Sequence, residues 1–152
     1  PYRRQRQMCN RDRAKGEAKA YLAGLQEFLG KIPADDAGRL FLFGEQLYLM
    51  PEHMPATRRL HVLRPGLHLG TVKKNRLEPA HALALAISPQ EACHSWNLSV
   101  DEARAYLAGQ TFPAEGEKGW YLITVDGYSL GWGKLAGSVM KNHYPKGLRK
   151  LL

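Results

Sequence analysis

Only two cysteines, Cys9 and Cys93, occur in the 152 residues. That is too few for a disulfide framework, and no CxxC pair is present for zinc, which fits a reducing cytosol. Long apolar runs are also missing. The longest, around Ala80–Ile87 and Leu40–Phe43, fall far short of the roughly 20 residues that a membrane-spanning helix needs. No apolar stretch follows the charged start of the chain, as a secretory signal would require. These absences argue against both a membrane-spanning and a secreted chain.

Signatures of catalysis are equally scarce. Neither GxGxxG nor GxxxxGK[ST] is present, and the superficially similar Gly131-Trp132-Gly133-Lys134 is not followed by a helix of the required spacing. The histidines His53, His61, His68, His81, His94 and His143 fall into no HExxH or HxE…CxxC pattern. Nothing in the sequence fixes a base against either thiol. Asp35-Asp36 and Asp101-Glu102 are better explained as turn and helix-start residues than as an acid/base pair. A catalytic or metal site is therefore not expected here. A cryptic enzyme site around His68, His81 and Cys93 would require those groups to converge in a pocket.

Acidic residues are absent from one long stretch, and this absence is the most informative. The chain holds 22 Lys and Arg against 14 Asp and Glu, a formal charge of +8. Residues 1–16 hold six basic groups and one acid, whereas residues 128–152 hold five (Lys134, Lys141, Lys146, Arg149, Lys150) and no acid. The middle, with eleven basic and thirteen acidic residues, is slightly negative. Such a balance points to a polyanionic partner. Lys141-Asn142-His143-Tyr144-Pro145-Lys146-Gly147-Leu148-Arg149 brings cations, an aromatic ring, an imidazole and an amide together, the mixture that RNA contact needs. Lys73, Lys74 and Arg76 form a second cluster, and Trp132 is either a stacking platform or core.

Coarse patterning organises the rest. Residues 1–15 lack apolar periodicity and read as a basic tail or linker. A helical stripe spans Glu17–Gly30, closed by Gly30. Arg39–Phe43 and Gln46–Met50 predict a hairpin around Gly44, with a third strand at Leu60–Leu63 and a small α/β unit ending near Arg64-Pro65-Gly66. Leu67–Val72 reads as a strand and Ala80–Ile87 as helix-prone. Ser88–Glu91 and Ser99–Glu102 match capping boxes, the second starting a helix that stops at Gly109. Trp120–Val125 and Tyr128–Leu135 predict a hairpin around Asp126-Gly127. The near-bare face of Ser129, Gly131 and Gly133 suits a sharply coiled barrel or a close approach by a ligand.

Three blocks carry a family resemblance: Arg64–Gly70 with Lys73–Ala84, then Trp120–Lys134 (WYLITVDGYSLGWGK), then Lys141–Arg149 (KNHYPKGLR). In order and spacing they resemble the C-terminal region of the RsmF-type ribosomal RNA cytosine-5 methyltransferases of the Nop/Sun superfamily. The resemblance implies an α+β chain: residues 1–15 a linker, 16–64 a small α/β intermediate domain, and 65–152 a PUA-like mixed β-barrel with short flanking helices. It implies a bacterial, cytoplasmic, monomeric RNA-binding piece that positions ribosomal RNA for its own N-terminal S-adenosylmethionine-dependent domain. That domain's Pro-Cys motif is missing, since Cys9 follows Met8 and Cys93 follows Ala92. The start at Pro1 fits an excised fragment that is no enzyme and binds no cofactor by itself. The RNA contacts expected from the charge and chemistry of the residues are Lys73, Lys74, Arg76, Lys134, Lys141, Lys146 and Arg149 on phosphates, with Asn142, His143 and Tyr144 shaping a groove beside Gly131 and Gly133, and Trp132 as a further candidate. The alternative is a protein-interaction module that docks on the catalytic domain or a ribosomal protein.

Overall fold

A computed structural model describes residues 21–30, 39–53, 61–74 and 76–149. The basic segment 1–15 and the first part of the helix expected over Glu17–Gly30 lie outside them. The chain divides into two compact units. One takes residues through Leu25 and Ile32–Leu83; the other takes Gln26–Lys31 and Ala84 onwards. The architecture is α+β, with mixed sheets and short helices.

In the first unit, α1 (Leu22–Leu25) precedes β1 (Leu40–Phe43), β2 (Gln46–Leu49), β3 (Leu67–Lys73) and β4 (Arg76–Pro79). The strands form an antiparallel sheet in that order. The β1–β2 hairpin turns at Gly44, whose φ of +61° is one that glycine adopts without strain. Leu40, Phe41, Leu47, Tyr48, Leu69 and Leu77 are buried. Gly66 allows β3 to close on β2, since a Cβ there would lie 2.1 Å from the Leu49 carbonyl oxygen. Two expectations change in this unit. His61–Leu63 forms no strand and Leu63 is exposed, because β2 takes its second partner from β3. The unit also runs past residue 64, to Leu83, since β3 and β4 continue the same sheet.

The second unit is entered within α2 (His81–Ala86). It contains β5 (Ser95–Leu98), α3 (Val100–Leu107), β6 (Phe112–Pro113), β7 (Gly119–Val125), β8 (Tyr128–Ala136), β9 (Val139–Asn142) and a 3-10 turn, Lys146–Leu148. Its sheet has the order β5-β7-β8-β9-β6, with β5 parallel to β7 and the other pairs antiparallel. Trp96 on one edge strand and Phe112 on the other have ring centroids 6.3 Å apart. The sheet therefore curls until its edges meet through side chains, a half-barrel around Leu98, Ala103, Tyr106, Tyr121, Ile123, Leu135 and Met140.

A bulge sets which residues of β8 face that core. Thr124 pairs with Ser129 but Ile123 pairs with Gly131, leaving Leu130 as the extra residue. Gly133 then lies under Met140 and Ile123, where an added Cβ would sit 2.8 Å from Met140 Sδ. The space at Gly133 is thus filled from within, by Met140 and Ile123, and offers no open groove there. On the opposite face Trp132 stands beside Leu122 and meets the edge of Phe28, with ring centroids 5.7 Å apart. Both Trp132 and Phe28 are buried.

Phe28 reaches this place because its segment belongs to the second unit. Cys93 N donates to Phe28 O, Gly30 N donates to Glu91 O, and Leu29 bridges Ala92. These bonds stop the first helix at Leu25, short of the expected Gly30. At Ser88 only half of the expected capping box forms: Ser88 N and Oγ donate to the Glu91 carboxylate, while Glu91 N donates to the Ser88 backbone carbonyl around a single turn, after which Ala92 enters that bridge.

The second box does start a helix. Glu102 N donates to Ser99 Oγ at 3.4 Å, and Ser99 N donates to the Glu102 carboxylate at 2.8 Å. Those bonds, from the Ser99 backbone and then its hydroxyl, hold the Glu102 carboxyl below the usual carboxylate range. Its contribution is present above the unfolded pKa and is lost as pH falls through the lowered folded value. Ser99→Ala is expected to cost about 1 kcal/mol, measured as a loss of unfolding free energy in urea.

Candidate nucleic-acid interface

The register of β7, β8 and β9 places one row of side chains on the sheet face away from the half-barrel core. Trp120 pairs with Lys134, and Lys134 pairs with Lys141. Cross-strand partners share a face, so the two lysines stand side by side on the face that holds Trp120. Lys134 Nζ lies 5.0 Å from the centre of the Trp120 ring, a cation–π contact. His143 approaches the same ring edge-on, with centroids 4.5 Å apart, and its backbone N–H donates to Trp132 O. Trp120 itself is buried, a floor beneath these groups. Lys141 and His143 are exposed, Lys134 is half-buried, and Lys141 has no ion-pair partner among the described residues.

The residues between them point the other way. Asn142 pairs with Gly133, on the core side of the sheet. Its amide donates to Tyr106 O at 2.7 Å and Gln110 O at 2.8 Å, and its Oδ1 accepts from Tyr144 N at 2.8 Å. The half-buried Tyr144 ring packs edge-on against Tyr106. Arg149 folds back over Gly109, just beyond α3, where Nε and Nη2 donate to Tyr144 O at 3.3 and 3.2 Å. A cation suits the C-terminal end of a helix, where the backbone dipole is negative. The Tyr106 hydroxyl, pushed up from its usual pKa chiefly by burial, stays protonated and donates to Trp132 O.

KNHYPKGLR is thus two interleaved sets. Asn142, Tyr144 and Arg149 clasp the chain after β9 to the end of α3, while Lys141, His143 and Lys146 are exposed. Trp132, read as either a stacking platform or core, is 2% exposed and packed against Phe28, which is the core reading. Asn142 and Arg149 are engaged within the fold: the Asn142 amide bonds two backbone carbonyls and one backbone N–H, and two guanidinium nitrogens of Arg149 bond the Tyr144 carbonyl. Trp120, passed over in the sequence as one more apolar strand residue, is the ring that organises the row. Its one sequence signal was its place opposite Lys134 once the Asp126-Gly127 turn fixes the register.

Lys73, Lys74 and Arg76 sit in the first unit at the β3–β4 turn, with Lys74 at a φ of +45°. Lys73 is bound to Glu78 at 2.7 Å, so its charge is partly offset within the fold. His68 stacks on Tyr48 and bonds Gly70 O; burial holds its pKa below the usual histidine value, and the charge of Arg64 adds to this. The Cys93 thiol donates to Gln26 O and is pushed up by burial, the reverse of an activated nucleophile. Among the described residues no group of three or more His, Cys, Asp or Glu could hold a metal ion, and no helix is long and apolar enough to cross a membrane.

A curled mixed sheet closed by a capped helix makes the second unit a PUA-like domain. The comparisons agree: the RsmF rRNA methyltransferase first C-terminal domain matches residues 25–87, and the Methyltransferase RsmF PUA domain matches residues 93–150. The chain belongs to the RsmF-type rRNA methyltransferase family, of which it carries the C-terminal region. It is 27% identical over 135 residues to Ribosomal RNA small subunit methyltransferase F of Aeromonas hydrophila, covering 87% of this chain and 28% of that protein. The protein of the same name from Vibrio cholerae is 27% identical over 128 residues, covering 82% of this chain and 27% of its own length. That of Klebsiella pneumoniae is 31% identical over 121 residues, with coverages of 74% and 24%. The chain therefore spans about a quarter of the length of the relatives it matches.

Proposed function

We propose that this chain is the RNA-binding part of an S-adenosylmethionine-dependent rRNA cytosine-5 methyltransferase of the cytoplasm. Its second unit positions structured ribosomal RNA for a catalytic domain outside these 152 residues, with residues 1–15 as the linker to it. In this reading the chain transfers no methyl group and binds no cofactor by itself, and it acts as a monomer. The observation that carries the reading is the row of exposed and half-exposed cations on one sheet face, within a stretch from Tyr128 to Arg149 that contains no acid. Contacts of this kind bind phosphates and read the shape of the RNA more than its bases.

Lys134 and Lys141 together, and Lys146, supply two phosphate contacts. The affinity of the 152-residue chain for a small-subunit rRNA hairpin should then fall about seven- to twelvefold between 50 and 200 mM salt. Fluorescence anisotropy across that range checks it. Absence of retention, or retention indifferent to salt, removes the RNA reading in favour of a module that docks on protein.

A further inference from the structure

We infer that Lys134, Lys141 and His143 together form a seat for a single phosphate group, over the floor that Trp120 provides. The inference rests on the RNA reading for its natural ligand, a phosphodiester of the RNA chain. Lys134 and Lys141 are direct cross-strand partners. Like charges in that position repel and weaken a sheet unless something between them is negative. Neither lysine has an ion-pair partner among the described residues. No acid occurs in residues 128–152, and Glu117, which precedes β7, pairs with His94 beside Tyr121, on the other face of the sheet.

Two of the three groups, Lys134 and His143, have their side chains held in place before any ligand arrives, and Lys141 has its backbone fixed. Lys134 is drawn over the Trp120 ring, His143 stands against the same ring, and Lys141 is followed directly by the anchored Asn142. Two ammonium donors and an imidazole on the sheet face that holds a buried aromatic suit a compact anion that accepts several hydrogen bonds. A carboxylate offers fewer acceptor directions, and an extended acidic peptide would need cations spread along one strand rather than across two neighbours. Lys146 and the Lys73–Arg76 turn are outside the seat and serve as controls.

The test uses the full chain with two ligands. In the wild type, titration with inorganic phosphate and with a small-subunit rRNA hairpin should each shift the Trp120 indole and His143 ring resonances. In Lys134→Gln/Lys141→Gln, RNA affinity at 100 mM salt should fall at least tenfold. Because both lysines serve one phosphate, the log–log salt slope should lose about one, as it should for Lys146→Gln. Lys141→Gln alone removes only an exposed side chain and should lose part of that one, which covers a double variant that fails to fold. If the wild type binds RNA and the double variant keeps the full slope, the seat is wrong and the RNA reading survives. If phosphate shifts both resonances while RNA does not bind, the seat stands for free phosphate and the RNA reading fails. If neither ligand moves them, both are overturned.

Discussion

Phe28→Ala is expected to destabilise the second unit by about 3–5 kcal/mol, the usual cost of emptying an aromatic site in a packed core. Phe28 has no exposed surface and meets the edge of Trp132 at 5.7 Å. The segment around it is tied in by backbone bonds to Glu91 and Cys93. The three tryptophans, Trp96, Trp120 and Trp132, all lie in the second unit, so tryptophan fluorescence in urea follows that unit alone. Phe28→Leu should fall between the wild type and alanine, because it keeps volume but loses the aromatic edge contact, worth about 0.5–1.5 kcal/mol. A loss below about 1 kcal/mol for alanine would mean that the neighbouring side chains close over the gap. The consequence is practical. A PUA-like fragment that starts after residue 31 would lack Phe28 and should be less stable by a similar amount.

Local signals were legible in the sequence, and contacts made across long separations were not. The Gly44 hairpin, the Ser99 box and the β7–β8 pair each depend on residues only a few positions apart, and each was expected where it stands. The parallel pairing of β5 with β7 and the insertion of Phe28 depend on residues far apart in the chain, and no periodicity announces them. Gly131 and Gly133 mislead for a related reason. A sequence shows that their side chains are absent but not that Met140 and Ile123 fill the space at Gly133. The basic C-terminal stretch was legible as a charge, while its division into clasp and row was not. That division follows from the alternation of β9, which sends Lys141 and His143 to one face and Asn142 to the other.

Asn142→Ala should cost about 2–3 kcal/mol, since it removes three hydrogen bonds worth roughly 0.5–1.5 kcal/mol each. Two of these serve the carbonyls of Tyr106 and Gln110, at and just beyond the end of α3, and the third fixes the backbone at Tyr144. Backbone carbonyls at a helix end need such partners because the helix supplies none. Asn142→Asp is the sharper variant. An ionised carboxylate can still accept from Tyr144 N, but it offers lone pairs where Asn142 offers N–H groups, opposite oxygens 2.7 and 2.8 Å away. At pH 7 it should destabilise at least as much as alanine. That repulsion raises the folded-state pKa of the new carboxyl above its unfolded value, so the penalty, full above the folded pKa, should shrink as pH falls through it. Urea unfolding of both variants at pH 7 and pH 4 decides the matter, and an Asp variant as stable as the wild type at pH 7 would show that the amide is not the donor. Neither variant removes a cation. Measured where each is folded, RNA affinity should drop as the segment carrying Lys141 and His143 loosens, while the salt slope stays at its wild-type value, which separates a residue that positions the row from one that touches phosphate.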